Sequence, residues 1–148
     1  MILPFSEIME AVKERLKYIA GKRGANDTSF YYRHTACVAD MGILLTFARQ
    51  TLTWVSLSLG SCCGGYTIEG DVVTFNLKSR MEDTATLETT VRPLLLECII
   101  LGIILRWLRL TGFHDVALFE SQAEEMLASL VESLRLPSSL TPRPLSPI

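Results

Sequence analysis

Phe5, Ile8, Met9, Val12, Leu16 and Ile19 recur at i, i+3, i+4 and i+7 spacing, which places them on one side of a helix. The pattern predicts an amphipathic helix over residues 5–20, with Ser6 available to cap its first turn, a stop at Gly21 and a loop through 24–27. Residues 29–38 contain Phe30, Tyr31, Tyr32, Thr35 and Val38, a β-prone set without alternation that allows a short strand or an extended arm. A second helix follows from Asp40, its N-cap, to about Leu59. Leu45, Ala48, Leu52, Val55 and Leu59 share one side of it; Thr46, Arg49, Gln50, Thr53 and Ser56 share the other.

The run Gly60-Ser61-Cys62-Cys63-Gly64-Gly65 breaks this helix. Residues 66–69 and 72–77 are then joined by the two-residue turn Gly70-Asp71, which predicts a β-hairpin over 66–77 with Val73, Phe75 and Leu77 on one face. A long helix is expected over 84–110, with Pro93 either kinking it or lying in its first turn. After Pro93 it is apolar on nearly every side and must be surrounded. Gly112 ends it, and a last helix over 114–136 sets Ala123, Leu127, Leu130 and Leu134 against Glu124, Glu125, Glu132 and Ser133. The expected fold is mainly α with a small β-hairpin, a four-helix domain over 1–136 with the hairpin between the second and third long helices. Residues 137–148, rich in proline and serine, read as a flexible tail.

Composition narrows the function classes. An apolar fraction of 49% and a mean hydropathy of +0.30 are high for one small domain and suggest apolar surface buried against a partner. The net charge of −2 leaves no phosphate-neutralising surface. The one basic stretch, Lys13, Arg15, Lys17, Lys22 and Arg23, is interrupted by Glu14 and reads as a solvated helix face, so no nucleic-acid partner is expected. The longest apolar run, 94–105, contains Glu97 and falls short of the ~20 residues of a membrane span. The first residues lack the basic and apolar regions of a signal peptide, and the expected location is the cytoplasm.

Candidate chemistry is sparse. His34 and Cys37 at i, i+3, with Cys62 and Cys63 after the second helix, offer four ligands suited to a tetrahedral zinc, but vicinal cysteines chelate one ion poorly, and no structural metal is expected. A thiol enzyme needs a base beside a cysteine, and only His34 or His114 is on offer. Cys37 and Cys98 read as small core residues, and Asp115 as an acid at the favourable end of the last helix. The glycines around Cys62 precede a strand and no Gly-Lys-Ser or Gly-Lys-Thr, so they form a loop rather than a phosphate cradle. Glu97 and Arg106 are expected to pair with neighbouring helices or to lie at an oligomer seam. No catalytic residue, cofactor site or metal site is assigned.

The hairpin with Val72-Val73-Thr74-Phe75, the helix ending Leu105-Arg106-Trp107-Leu108, and the following helix with Asp115, Ala117, Phe119, Ala123, Leu127 and Leu130 together resemble a loosely defined family. Its members are small structural proteins of Bacteroidales phages and prophages, of the head-tail connector or tail-completion type. The likeness covers about the last 85 residues; the earlier helices agree in placement. The family ends in a more arginine-rich segment, whereas this chain has Arg135 and Arg143 among prolines. The resemblance implies a non-enzymatic assembly protein in the bacterial host cytoplasm or the virion, with itself and other neck or tail proteins as partners. The interface then expected is the apolar helix, through Leu96, Ile100, Ile103, Ile104 and Trp107. The rival reading is a cytoplasmic helical module that binds an apolar ligand or a partner helix.

Overall fold

The structure, a computed structural model, describes residues 1–23, 34–78, 85 and 87–135. Strand β1 (Ile2–Pro4) leads into helix α1 (Phe5–Arg23), and a one-turn 3-10 segment (Val38–Asp40) leads into α2 (Met41–Ser58). Strands β2 (Cys63–Glu69) and β3 (Val72–Leu77) follow, then a π-helical turn (Leu87–Val91), α3 (Arg92–Thr111) and α4 (Val116–Arg135). The expected mainly α fold with a hairpin between the second and third long helices is what the chain adopts. The tail over 137–148, the loop at 24–27 and the first half of the stretch at 29–38, residues 29–33, lie outside the described residues. The described end of that stretch runs into the 3-10 turn at Val38 and contains no strand.

The hairpin gains a third strand. β1 pairs antiparallel with β3, Leu3 opposite Val73, giving the order β1-β3-β2. This strand was not expected, because three residues carry no readable alternation. Pro4 is tolerated since it ends an edge strand. At the hairpin turn Gly70 has φ +60 and Asp71 does not have positive φ, which fits a II′ rather than a I′ turn. Between Cys63 and Tyr66 the register slips by one residue, a bulge accommodated by Gly65 at φ +115. Val73 and Phe75 face inward and are buried, and Leu77 is half-buried.

The helix caps differ from those expected. Ser6 does not cap α1; Asp71, in the hairpin turn, does. Its carbonyl accepts the Phe5 N–H (2.7 Å), one carboxylate oxygen accepts the Ser6 N–H (2.8 Å), and the other accepts the Ser6 hydroxyl (2.8 Å). Gly21 does not stop α1, which continues to Arg23. Asp40 precedes α2, but its carboxylate turns back to accept the Cys37 N–H at 2.8 Å, closing the 3-10 turn instead. Pro93 lies in the first turn of α3, where its missing N–H costs no hydrogen bond. Gly112, at φ +74, ends α3 in the left-handed conformation that only glycine adopts cheaply.

α3 is the axis of the fold. α1, α2 and α4 each pack against it, whereas neither α1 nor α2 packs substantially on α4. Leu95, Ile99, Ile103, Ile104 and Leu108 are fully buried, together with Leu16 of α1 and Leu44 and Leu52 of α2. A helix apolar on nearly all sides is thereby enclosed by its own chain. α2 approaches it closely at Gly102, where a Cβ would come within 2.5 Å of Thr51 Cγ2.

Candidate functional site

Three helices around a fourth leave gaps where the outer helices do not meet, and two of these gaps flank α4. The first, between α1 and α4, is an open groove of about 840 Å³. Ile19, Leu101, Ile104, Phe119 and Met126 supply its apolar lining, and Glu14, Gln122, Glu125 and Ser129 its polar one. Arg15 and Glu97 also line it and form a bidentate ion pair joining α1 to α3. Arg15 is therefore neutralised within the groove. Glu14 has only Lys17 at 4.0 Å, and Glu125 forms no ion pair among the described residues. The charge left at the groove is acidic.

The second gap, about 610 Å³, lies between α2 and α4 and is lined by Trp54, Leu127, Ala128 and Val131, with Glu124, Glu132 and Arg135. The Arg106 guanidinium sits 5.7 Å from the Trp54 ring centre and donates to the Gly102 carbonyl at 3.0 Å. Burial, and then neighbouring Arg109, lower its pKa from the ordinary arginine value. Glu97 and Arg106 thus do not pair with each other: Glu97 joins α3 to α1, and Arg106 packs toward α2.

Of the five expected interface residues, Ile100, Ile103, Ile104 and Trp107 are buried in the chain's own core, and only Leu96 is half-buried. They offer a partner almost no surface, because α1, α2 and α4 already cover α3. Ile104 borders the first groove. Phe119, named above only within the resemblance, and Met126 were not among the expected site residues, although their i, i+7 spacing is a usable signal. They lie off the Ala123–Leu130–Leu134 stripe that meets the core, so the apolar arc of α4 is wider than one helix contact needs.

The candidate chemical groups are dispersed. His34 is buried: its Nδ1 lies 2.8 Å from the Thr111 hydroxyl, and its ring meets Phe113 edge-on at 5.1 Å. The Thr111 hydroxyl also lies 3.1 Å from the Trp107 carbonyl. The Trp107 indole N–H in turn donates to the His34 carbonyl at 2.8 Å. Together these bonds fasten residue 34 to the end of α3. Cys37 is exposed rather than a core residue, and its thiol donates to Asp40 at 3.2 Å instead of facing an imidazole. Cys98 is buried, and desolvation, with a smaller effect from Glu97, pushes its pKa up to about 12. Cys62 is buried and Cys63 half-buried at the foot of the sheet. Among the described residues no three His, Cys, Asp or Glu side chains converge as metal ligands, and no helix is long and apolar enough to cross a membrane. Asp115 immediately precedes α4, at the end the helix dipole favours, with its carbonyl accepting the Leu118 N–H at 3.2 Å.

The chain matches no family model, no curated protein and no solved structure.

Proposed function

We propose that this protein is a non-enzymatic docking module that holds an amphipathic helix of a partner in the groove between α1 and α4. The observation that carries the reading is the groove itself, an open channel with an apolar lining and acidic rims, Glu125, which has no ion pair among the described residues, and Glu14, which has Lys17 only at 4.0 Å. From Phe119 to Ser129 the α4 wall runs about 15 Å at about 1.5 Å per residue, close to three helical turns. A helix placing apolar residues at i, i+3, i+4 and i+7 fills such a channel, and basic residues on its flanks meet the two glutamates. Assembly at a phage head-tail junction, the setting implied by the resemblance, is work of this class, done by surfaces rather than by a reaction centre. Portal, capsid or tail genes flanking the coding sequence would support that setting.

The test uses a labelled synthetic amphipathic peptide of about four helical turns, with leucines at helical spacing and lysines beside them, read by fluorescence anisotropy. Saturable binding is expected, weaker for the same peptide with glutamates in place of the lysines. Met126→Lys, at a half-buried position, should weaken it at least about tenfold while leaving the thermal midpoint nearly unchanged. If neither peptide binds, or if Met126→Lys binds as well as wild type, the groove is not the docking site.

A further inference from the structure

We infer that two copies of this chain pair through α4, laid antiparallel across a two-fold axis, on the side of the helix facing away from the α1 groove. At about 100° per residue, Glu124, Ala128, Val131 and Arg135 fall within one narrow arc, flanked by Leu127 and Glu132. All six line the second gap beside Trp54. Glu124, Ala128 and Arg135 are exposed and Val131 is half-buried. Neither Glu124 nor Arg135 forms an ion pair among the described residues.

The order along this stripe is acid, small, apolar, base, and it is self-complementary when reversed. About a two-fold axis between Ser129 and Leu130, Glu124 of one copy stands level with Arg135 of the other, and Ala128 with Val131. An isologous contact of this kind repeats each pairing twice, so both ends close with opposite charges over an apolar centre. A parallel arrangement would set Glu124 against Glu124 and Arg135 against Arg135, which like-charge repulsion disfavours. Ala128, the smallest side chain of the stripe, stands next to the axis and allows the two backbones to approach. Trp54 extends the apolar surface onto α2. The same side of α2 continues it through Phe47 and Ile43, the latter 44% exposed. A second copy is the occupant favoured here because the stripe supplies its own charge complement. This surface is separate from the α1 groove, so the inference stands or falls independently of the peptide reading.

Sedimentation equilibrium on the full chain tests it. Wild type should reversibly dimerise. Arg135→Glu and Glu124→Arg should each weaken the dimer at least about tenfold by opposing like charges at both ends. The double variant Glu124→Arg/Arg135→Glu should restore it, since the pairs re-form with reversed sign. Both positions are exposed, so circular dichroism should show all three variants folded. A wild type that stays monomeric at high concentration overturns the inference. So does a dimer indifferent to the single swaps, or one that the double swap does not recover.

Discussion

Gly102 of α3 faces Thr51 of α2 so closely that a Cβ at position 102 would stand 2.5 Å from Thr51 Cγ2 and 3.3 Å from the Trp54 ring. Thr51 is itself fully buried, and its hydroxyl donates to the Phe47 carbonyl at 2.7 Å, so it cannot swing aside without breaking that bond. Glycine here sets the spacing of the two helices. Gly102→Ala should therefore cost about 1–3 kcal/mol by overpacking, despite the higher helix propensity of alanine. Thr51→Ser removes the clashing methyl and keeps the hydroxyl, and should return part of that loss in the double variant. Urea midpoints of the three variants decide it; a Gly102→Ala protein as stable as wild type would mean the helices part freely.

The Asp71 cap joins the hairpin turn to the start of α1. Asp71→Ala should lower stability by about 1 kcal/mol, the usual worth of a capping side chain. Asp71→Asn, which keeps one carbonyl oxygen as an acceptor, should lose less. Thermal melts of both variants give the comparison, and equal losses would show that the side-chain bonds contribute little.

Trp107→Phe removes the indole N–H and leaves the buried His34 carbonyl without its donor. The expected loss is about 1–3 kcal/mol, the range for stranding a buried polar group. Hydrogen exchange should localise the effect to the end of α3 and to Phe113, whose N–H is bonded to the Leu108 carbonyl at 2.9 Å. A uniform loss of protection across all helices would instead indicate that Trp107 acts through its ring volume alone.

Cys98 should make the fold sensitive to alkali. Its thiol is held protonated up to about 12 in the folded chain, against an ordinary value of 9.0. Between those values the unfolded chain has released the proton and the folded chain has not. This contribution to stability is complete below pH 9 and is lost as pH rises toward 12. Urea midpoints at pH 8 and pH 10 should fall further for wild type than for Cys98→Ala. In the native protein exposed Cys37 should react with a thiol reagent at neutral pH while Cys98 reacts only on unfolding. Rapid labelling of Cys98 in the folded chain would contradict its enclosure.

The sequence by itself determined what depends on near neighbours. Helical spacing of Ile8, Val12 and Leu16, the alternation of Val73 and Phe75, the Gly70-Asp71 turn and the stop at Gly112 are local patterns. Each places its element without knowledge of the rest of the chain. Period also showed that the helix after Pro93 must be surrounded, because no side of it is fit for water.

What surrounds it was a tertiary question. Ile100 and Ile104 have the same composition whether a partner or the same chain covers them, and only the arrangement of α1, α2 and α4 assigns them to the core. Asp71 caps a helix 65 residues away in the chain, Leu3 pairs with Val73 through a strand too short to announce itself, and Arg15 finds Glu97 across a helix interface. The grooves are likewise properties of the gaps between helices, and a gap has no sequence of its own. They arise because three helices pack on a fourth without closing on one another, a relation that only the assembled fold contains.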